Sequence, residues 1–144
     1  MTAPAWVLRP YCEDDRSFIL SSWLKSYRGS EFAQRLPADV YWSRYGHVGV
    51  VEDSFMRSRV WVATLHEERT WIYGWAAVEG DLLHYVFVRR EDRKAGIGRA
   101  LMEAACPGAA CLRVSHVTSD FERLACGRSV EFVNPYQKEK ANED

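Results

Sequence analysis

The sequence predicts an α/β (α+β) fold, in which a mixed, mostly antiparallel central sheet of about six to seven strands carries helices on both faces. Apolar runs of strand length follow one another between residues 60 and 88, with only short polar turns between them. Residues 12–28 repeat apolar side chains at helical spacing. After residue 88, helix-like and strand-like stretches alternate, which is typical of a parallel crossover beside the antiparallel strands.

The first part of the chain is predicted to hold one strand and at least two helices. Residues 5–10 (AWVLRP) are a short apolar run that ends at a proline, which indicates a strand. Residues 12–28 begin with acidic and end with basic side chains, the order that a helix dipole favours. A second helix is expected within residues 38–45. Residues 48–57 fit a helix or a strand equally well.

Three consecutive strands are then predicted at residues 60–66, 71–79 and 82–88. The polar stretches EERT and EGD separate them, and such short polar connections indicate hairpins. These three strands therefore form an antiparallel meander.

The last part of the chain alternates between the two kinds of element. A helix is predicted at residues 98–106, where Pro-Gly ends it, and a strand follows at residues 110–117. A short helix at residues 119–126 and a last strand at residues 129–136 complete the order. The polar residues 137–144 are expected to be a disordered tail.

Composition limits the class of protein. The 144 residues are 47% hydrophobic and 27% charged, which predicts one globular domain over residues 1–136. The net charge of −1 argues against nucleic acid and against an anionic membrane surface as partners. No apolar run approaches the roughly 18 residues that span a bilayer, and no signal peptide is recognisable. The four cysteines form no CxxC pair, which predicts reduced thiols, no zinc or other metal site, and a cytoplasmic location.

A glycine-rich loop lies between the third strand of the meander and the helix after it. Residues 93–98 read RKAGIG, so Gly96 and Gly98 leave room for a ligand to approach the backbone at a helix N-terminus. Arg93, Lys94 and Arg99 add positive charge. This combination predicts a binding site for a phosphate-bearing ligand of unspecified kind.

Two common phosphate-binding motifs do not match this loop. A dinucleotide fingerprint places its glycines directly after the strand, whereas seven residues separate Val88 from Gly96, and Leu101 occupies the position of the third small residue. The G-K-[ST] of a Walker A loop is absent.

The stretch does resemble motif A of the GNAT acyl-CoA-dependent N-acetyltransferases. In that motif an apolar strand ends in valine, and [Q/R]-x-x-G-x-[G/A] opens a helix; here Val88, Arg93, Gly96 and Gly98 fill those positions. The resemblance implies a sheet splayed between the strands at residues 82–88 and 110–117. It implies acetyl-CoA or another acyl-CoA as co-substrate, and direct transfer of the acyl group to a primary amine in a ternary complex.

The resemblance also implies which residues bind the co-substrate. Phe87 or Val88 would polarise the thioester carbonyl through its backbone N–H. The glycine loop would hold the pyrophosphate, through the positions Arg93, Lys94, Ala95, Gly96, Ile97, Gly98 and Arg99.

One expected feature of the family is missing. Many members carry N-x-x-A-x-x-x-Y in the helix after the splayed strand, where the tyrosine protonates the leaving thiolate, and no register of residues 117–132 supplies this pair. Cys126 and Tyr136 are the candidate replacements.

An amine must lose a proton to attack, so a general base is expected beside the thioester. His84 is the first candidate, because histidine titrates near neutral pH and some arylalkylamine N-acetyltransferases have histidines at this phase of the strand. Strict alternation would place it on the face of Leu82, Val86 and Val88. Glu79, at the end of the preceding strand, is the second candidate. His47, His66 and His116 have weaker claims, although His116 would line the cleft.

The sequence does not specify the amine acceptor, nor whether the protein catalyses acyl transfer. Aromatic residues in the first helices could wall an acceptor pocket, namely Trp23, Tyr27, Phe32, Tyr41, Trp42 and Tyr45. A small amine, a polyamine and a protein amine are all compatible with such a pocket. The sequence is also compatible with a homodimer. The alternative function is a GNAT-fold protein that binds CoA or a protein partner without turnover, in keeping with the missing tyrosine.

Overall fold

The computed structural model describes residues 6–65, 68, 70–90, 96–108, 110–116 and 128–135. The strands of the described part are β1 (Trp6–Pro10), β2 (Arg59–Leu65), β3 (Ile72–Glu79), β4 (Leu82–Val88), β5 (Cys111–Val114) and β6 (Ser129–Phe132). The helices there are a 3₁₀ turn (Glu13–Asp15), α1 (Arg16–Tyr27), α2 (Glu31–Gln34), α3 (Ala38–Tyr41), α4 (His47–Met56) and α5 (Ile97–Ala105). None of these helices is long and apolar enough to cross a bilayer.

The six strands form one sheet in the order β1-β2-β3-β4-β5-β6. The first three pairings, from β1 to β4, are antiparallel, and the last two, β4 with β5 and β5 with β6, are parallel. The predicted mixed, mostly antiparallel sheet is therefore confirmed, and so is the meander of β2, β3 and β4.

Helices cover both faces of the sheet, as predicted. On one face α5 buries Ile97 and Leu101 against Val88 and Ala76. On the other face α1 and α4 pack over the sheet with a core of aromatic and branched residues: Ile19, Trp23, Tyr27, Val51, Phe55, Val62, Trp75 and Tyr85. Most of the hydrophobic stabilisation of the sheet comes from these two layers, because each removes one apolar face from water.

The ambiguous stretch at residues 48–57 belongs to a helix. In α4, His47, Val51, Ser54 and Phe55 are buried, the spacing of one helix face. The helix expected within residues 38–45 is a single turn, α3. A further turn, α2, is capped at its N-terminus by Ser30, whose hydroxyl accepts from Ala33 N–H. The predicted helix at residues 119–126 and the tail at residues 137–144 lie outside the described residues.

A buried ion pair joins β1 to the beginning of α1. Arg9 donates to both carboxylate oxygens of Asp15, at 2.7 and 2.8 Å, and Cys12 N–H donates to the same carboxylate at 2.9 Å. Asp15 is only 3% exposed. Burial alone would raise the pKa of Asp15, but the hydrogen bonds from Arg9 and Cys12 lower it more, so its pKa lies below the ordinary value.

Candidate active site

A V-shaped opening separates β4 from β5. Within the described ranges, the two parallel strands pair through Leu82 with Arg113 and Leu83 with Val114 and through no other residues. The last backbone hydrogen bond between them in the described part of the chain runs from Ser115 N–H to the Leu83 carbonyl, at 3.2 Å. Beyond this point β4 continues to Val88, and the described residues show no further pair between it and β5. The carboxyl ends of diverging parallel strands are a common place for a ligand, so this opening is the candidate site.

A β-bulge at the narrow end of the opening changes the direction of the side chains. Tyr85 lies opposite Ala77 and Leu83 lies opposite Val78, so β4 has one extra residue, His84, between these pairs. Leu83 consequently packs on the α5 face and Tyr85 on the α1 face. Bulges of this kind re-aim side chains and occur often beside active sites.

The bulge overturns one expectation about His84. Strict alternation placed its side chain on the face of Leu82, Val86 and Val88, but Val86 and Val88 pack on the α5 face. The His84 ring instead lies 6.3 Å from the Trp23 ring of α1. The prediction was wrong because a bulge shifts the alternation by one residue, and a bulge depends on the partner strand.

The wide end of the opening lies near the start of α5. Gly96 is the N-cap of this helix and has φ of 85°, in the left-handed region that glycine adopts at little cost. Ile97 is buried and anchors the first turn. The N–H groups of Ile97, Gly98 and Arg99 belong to that first turn, where a helix has no acceptors of its own. They form a donor set suited to an anion.

A glycine in β3 lets the backbone of β4 come unusually close. A Cβ atom at Gly74 would lie 2.4 Å from the Phe87 carbonyl oxygen and 3.2 Å from Val88 Cα. No other residue fits here without moving the strand edge at the opening. Gly74 was not among the predicted site residues. Its signal in the sequence is a glycine inside an otherwise apolar strand, which often marks a close backbone approach.

At the narrow end five polar residues form a hydrogen-bonded series, which we call the histidine chain; four of them are buried, and the Glu79 side chain is 34% exposed. Glu79 Oε1 lies 2.9 Å from His84 Nε2, and His84 Nδ1 lies 2.6 Å from Ser115 Oγ. Ser115 Oγ lies 2.9 Å from His116 Nδ1, and His116 Nε2 lies 3.2 Å from His47 Nε2. Glu79 and His84, the two predicted base candidates, are thus in contact, and Ser115 is a member that the sequence did not indicate.

Aromatic rings enclose the inner end of the histidine chain. His47 is stacked between Tyr27 and Tyr41, with ring centroids at 5.2 and 5.0 Å. His116 meets the edges of Tyr27 and Trp23, at 4.7 and 5.3 Å. This packing holds the two imidazoles in fixed orientations and keeps water away from them.

Solved structures share this architecture. A GCN5-related N-acetyltransferase from Rhodopseudomonas palustris is similar with a TM-score of 0.60 and 20% identity, over 88% of this chain and 82% of that one. The GNAT fold of the chain is thereby established. A protein of Pyrococcus furiosus named as an acetyl transferase is similar with a TM-score of 0.52 and 15% identity, over 95% and 90% of the two chains.

A third structure matches over a shorter region. The apo form of YjaB from Escherichia coli has a TM-score of 0.51 and 23% identity, over 69% of this chain but only 63% of YjaB. No protein-family model matches the sequence, and no curated protein is significantly similar to it. The GNAT fold is therefore assigned from structural similarity.

Within the GNAT fold, the predicted site residues divide into two groups. Phe87, Val88, Gly96, Ile97, Gly98 and Arg99 border the opening or the start of α5, and His84 and Glu79 lie at its narrow end. The others lie outside the described residues: Arg93, Lys94, Ala95, Cys126 and Tyr136.

The six aromatic residues that were predicted to wall an acceptor pocket lie in two different environments. Trp23, Tyr27 and Tyr41 are buried and pack around the histidine chain. Phe32, Trp42 and Tyr45 are exposed on the surface of the α2–α3 segment. The six therefore do not line one pocket in this GNAT-fold chain.

Burial perturbs the ionisable members of the histidine chain. It lowers the pKa of His47 to about 4. Burial, with the nearby His47 and His84, lowers the pKa of His116 well below its ordinary value. Burial alone would raise the pKa of Glu79, but the hydrogen bond from His84 and the charge of Arg57 lower it more. Glu79 is therefore a carboxylate and His47 and His116 are neutral near neutral pH.

Acid is expected to destabilise this GNAT-fold chain through His47. The pKa of His47 falls from 6.5 when unfolded to about 4 when folded, so the unfolded state binds more protons between these values. The contribution of His47 to the free energy of unfolding is full above pH 6.5. It decreases towards pH 4 by up to about 1.4 kcal/mol per pH unit. The lowered pKa of His116 steepens the same dependence of the free energy of unfolding on pH. The lowered pKa of Glu79 contributes in the same direction at lower pH.

Urea denaturation across this pH range measures the slope directly. The His47→Phe variant, which keeps a ring between Tyr27 and Tyr41 but does not titrate, is expected to have a shallower slope. Equal slopes for the two proteins would show that His47 does not contribute.

Proposed function

We propose that the chain is an N-acetyltransferase that transfers the acetyl group of acetyl-CoA to a primary amine, by direct attack in a ternary complex. The observation that carries the proposal is the V-shaped opening between β4 and β5, with the N-terminus of α5 near its wide end. The GNAT fold supports it at the level of architecture. The chemistry of the narrow end, where a histidine meets a carboxylate, supports proton transfer.

The start of α5 is suited to the pyrophosphate of acetyl-CoA. The N–H groups of Ile97, Gly98 and Arg99 point out of the helix end, and Gly96 adds no side chain in front of them. By motif, the positions Arg93, Lys94 and Ala95 belong to the same cradle. The pantetheine arm would then follow the β4 edge towards the narrow end of the opening.

The β4 backbone offers a donor for the thioester carbonyl. Arg89 N–H donates to the Tyr73 carbonyl of β3, at 2.9 Å. N–H groups along an antiparallel strand alternate between its two edges, so Phe87 N–H also points to β3 and Val88 N–H points to the opening. This alternation favours Val88 over Phe87 as the group that polarises the carbonyl.

His84 is the proposed base, with Glu79 as the carboxylate that stabilises its protonated form. Their 2.9 Å contact orients the imidazole, and Glu79 is further held by Arg57 at 3.1 Å. The attack forms a C–N bond and breaks the C–S bond, after which the thiolate takes a proton. Cys126 and Tyr136 stay candidates for that last step on sequence grounds.

Replacing His84 with glutamine is expected to lower the acetylation rate at neutral pH by about 10²–10⁴-fold. Glutamine can still donate to Glu79 but cannot take up a proton near neutral pH. The affinity for acetyl-CoA should stay within about twofold, because His84 lies away from the proposed pyrophosphate site. Thiol release at several pH values, with acetyl-CoA titrations in parallel, measures both. An unchanged pH–rate profile would remove His84 as the base.

The missing N-x-x-A-x-x-x-Y tyrosine favours a second candidate function, a GNAT-fold protein that binds CoA or a protein partner without turnover. This candidate predicts saturable acetyl-CoA binding and no thiol release with any amine. The acetyltransferase proposal predicts both binding and release, so a screen of small amines, polyamines and lysine peptides separates the two.

A further inference from the structure

We infer that Ser115 carries protons between the reacting amine and His84, and that His116 and His47 are positioning residues that aim its hydroxyl. This inference rests on the proposed function, and it adds three residues to the proposed site. Ser115 would act in both directions, taking a proton from the amine and returning it to the thiolate.

The place of Ser115 in the sheet is the first reason. Among the residues that the structure describes, its N–H makes the last backbone hydrogen bond to β4, so Ser115 stands where the two strands cease to pair. A thioester that enters along the β4 edge would bring its carbonyl carbon towards this point. Ser115 and His116 are also the first residues of the chain after β5.

The contacts of His84 are the second reason. Both of its ring nitrogens are hydrogen-bonded, Nε2 to Glu79 and Nδ1 to Ser115. His84 and Ser115 are both buried, at 2% and 0% exposed, so the hydrogen bonds and not the exposure distinguish them. An amine therefore cannot reach either nitrogen without breaking one of these bonds. If the amine gives its proton to Ser115 Oγ, which lies 2.6 Å from Nδ1, the Ser115 proton passes to His84 along the existing hydrogen bond, and the bond to Glu79 is kept.

The direction of every hydrogen bond in the histidine chain follows from Glu79. An ionised carboxylate only accepts, so His84 Nε2 carries the proton of a neutral ring and Nδ1 accepts from the Ser115 hydroxyl. The hydroxyl has one proton, and His84 Nδ1 at 2.6 Å is a nearer acceptor for it than the His84 carbonyl oxygen at 3.5 Å, so Ser115 Oγ accepts from His116 Nδ1–H. His116 Nε2 then accepts from His47 Nε2–H. In these four hydrogen bonds His84, Ser115 and His116 each donate once and accept once, Glu79 only accepts and His47 donates, so no two roles conflict.

This order explains what the two inner histidines do. His47, fixed between Tyr27 and Tyr41, donates to His116 and so holds the proton of His116 on Nδ1. His116 in turn donates to Ser115 Oγ, which leaves the hydroxyl proton aimed at His84. The hydrogen bond at one ring nitrogen of a functional histidine commonly fixes which nitrogen carries the proton.

The proton transfers balance without any further reagent. As the amine nitrogen bonds to the carbonyl carbon, its proton passes to Ser115 Oγ and the Ser115 proton passes to His84 Nδ1. The C–S bond breaks and the electron pair leaves on sulfur, while Glu79 stabilises the His84 imidazolium. The proton on Nδ1 then returns through Ser115 to the thiolate. The products are an amide and a thiol, and the histidine chain is restored.

This return path gives the thiolate a proton source although the tyrosine of the family pattern is absent. One histidine acting first as base and then as acid is established chemistry in acyl transfer. In the part of the chain that the structure describes, the ionisable groups that face His84 are Glu79 from β3, with Arg57 behind it, and His116 after β5, with His47 of α4 beyond it. Tyr85 lies on its own strand, and Trp23 and Tyr27 of α1 cover the rings.

The first test measures thiol release from acetyl-CoA with phenethylamine, spermidine and a lysine peptide. The Ser115→Ala variant should lower kcat at neutral pH by about 10²–10⁴-fold and keep the acetyl-CoA affinity within about twofold. Ser115→Thr, which retains a hydroxyl, should recover most of the rate. Combining Ser115→Ala with His84→Gln should cost no more than either change alone, since both interrupt one path.

Ser30→Ala is the matched control. It also removes a buried hydroxyl, which caps α2 and lies outside the histidine chain. It should cost about 1 kcal/mol of stability and leave kcat unchanged.

Two results would overturn the role of Ser115 and leave the proposed function intact. One is a Ser115→Ala variant as fast as the wild type. The other is an acetyl group found by mass spectrometry on wild-type Ser115 after incubation with acetyl-CoA, because Ser115 would then be a nucleophile. A wild type that binds acetyl-CoA but acetylates none of the three amines would overturn the proposed function and the relay together.

A second measurement does not depend on activity. Nitrogen-15 spectra of the histidine rings at neutral pH should show the proton of His84 on Nε2, that of His116 on Nδ1 and that of His47 on Nε2. A His116 ring protonated on Nε2 would contradict the inferred order, whatever the enzyme assays give.

Discussion

Replacing Gly98 with glutamate is expected to abolish acetyl-CoA binding. Gly98 is the second residue of α5, in the first turn whose N–H groups form the proposed cradle. A carboxylate there would occupy the space of the pyrophosphate and repel its charge. The loss of two charge-assisted hydrogen bonds alone lowers affinity by roughly 10²-fold or more. Titration calorimetry of the folded variant measures the loss, with circular dichroism as the check on folding.

The matched control is Gly80→Glu. Gly80 lies in the turn between β3 and β4, where an added Cβ atom would meet nothing within 4 Å, although its φ of 60° makes any side chain mildly strained. This variant adds the same charge away from the wide end of the opening and should bind acetyl-CoA as the wild type does. Tight binding by a folded Gly98→Glu protein would show that the pyrophosphate does not lie at the start of α5.

Replacing Asp15 with alanine is expected to lower the free energy of unfolding by about 3–5 kcal/mol. The change leaves the Arg9 guanidinium partly buried without its bidentate partner and removes the acceptor of Cys12 N–H. Because its folded pKa is lowered, Asp15 contributes fully above the ordinary carboxyl pKa, and this contribution is lost as the pH falls through the folded value. Urea denaturation at neutral pH gives the size of the effect.

Glu31→Ala is the control for this prediction. The Glu31–Arg35 pair has a similar distance, 3.0 Å, but its side chains are 87% and 74% exposed. A pair this exposed contributes less than about 1 kcal/mol. If Asp15→Ala cost no more than Glu31→Ala, the buried pair would not be a principal link between β1 and α1.

Local patterns were enough to predict most of the sheet. The strands β2, β3 and β4 could be located because apolar runs alternate with short polar turns, and α5 because glycines precede it and Pro-Gly follows it. The α4 segment was ambiguous for a physical reason. Its valines favour strands locally, and only burial of His47, Val51 and Phe55 on one face against α1 and the sheet selects the helix.

The geometry at the narrow end of the opening could not be read in the same way. The bulge that re-aims His84 depends on how β3 and β4 pair, which no single strand specifies. The histidine chain joins residues far apart in sequence: 31 positions separate His84 from Ser115, and 69 separate His47 from His116. Each residue alone has an ordinary context, and only the folded sheet brings them together.

Calorimetric titration of the purified chain with acetyl-CoA tests the central claim most directly, with CoA and NADH titrated under the same conditions. The proposal predicts saturable binding of acetyl-CoA and CoA and no binding of NADH, because the opening beside β4 accepts a pantetheine arm and the start of α5 its pyrophosphate. No binding of either CoA species, or equally tight binding of NADH, would contradict the assignment of this opening as an acyl-CoA site.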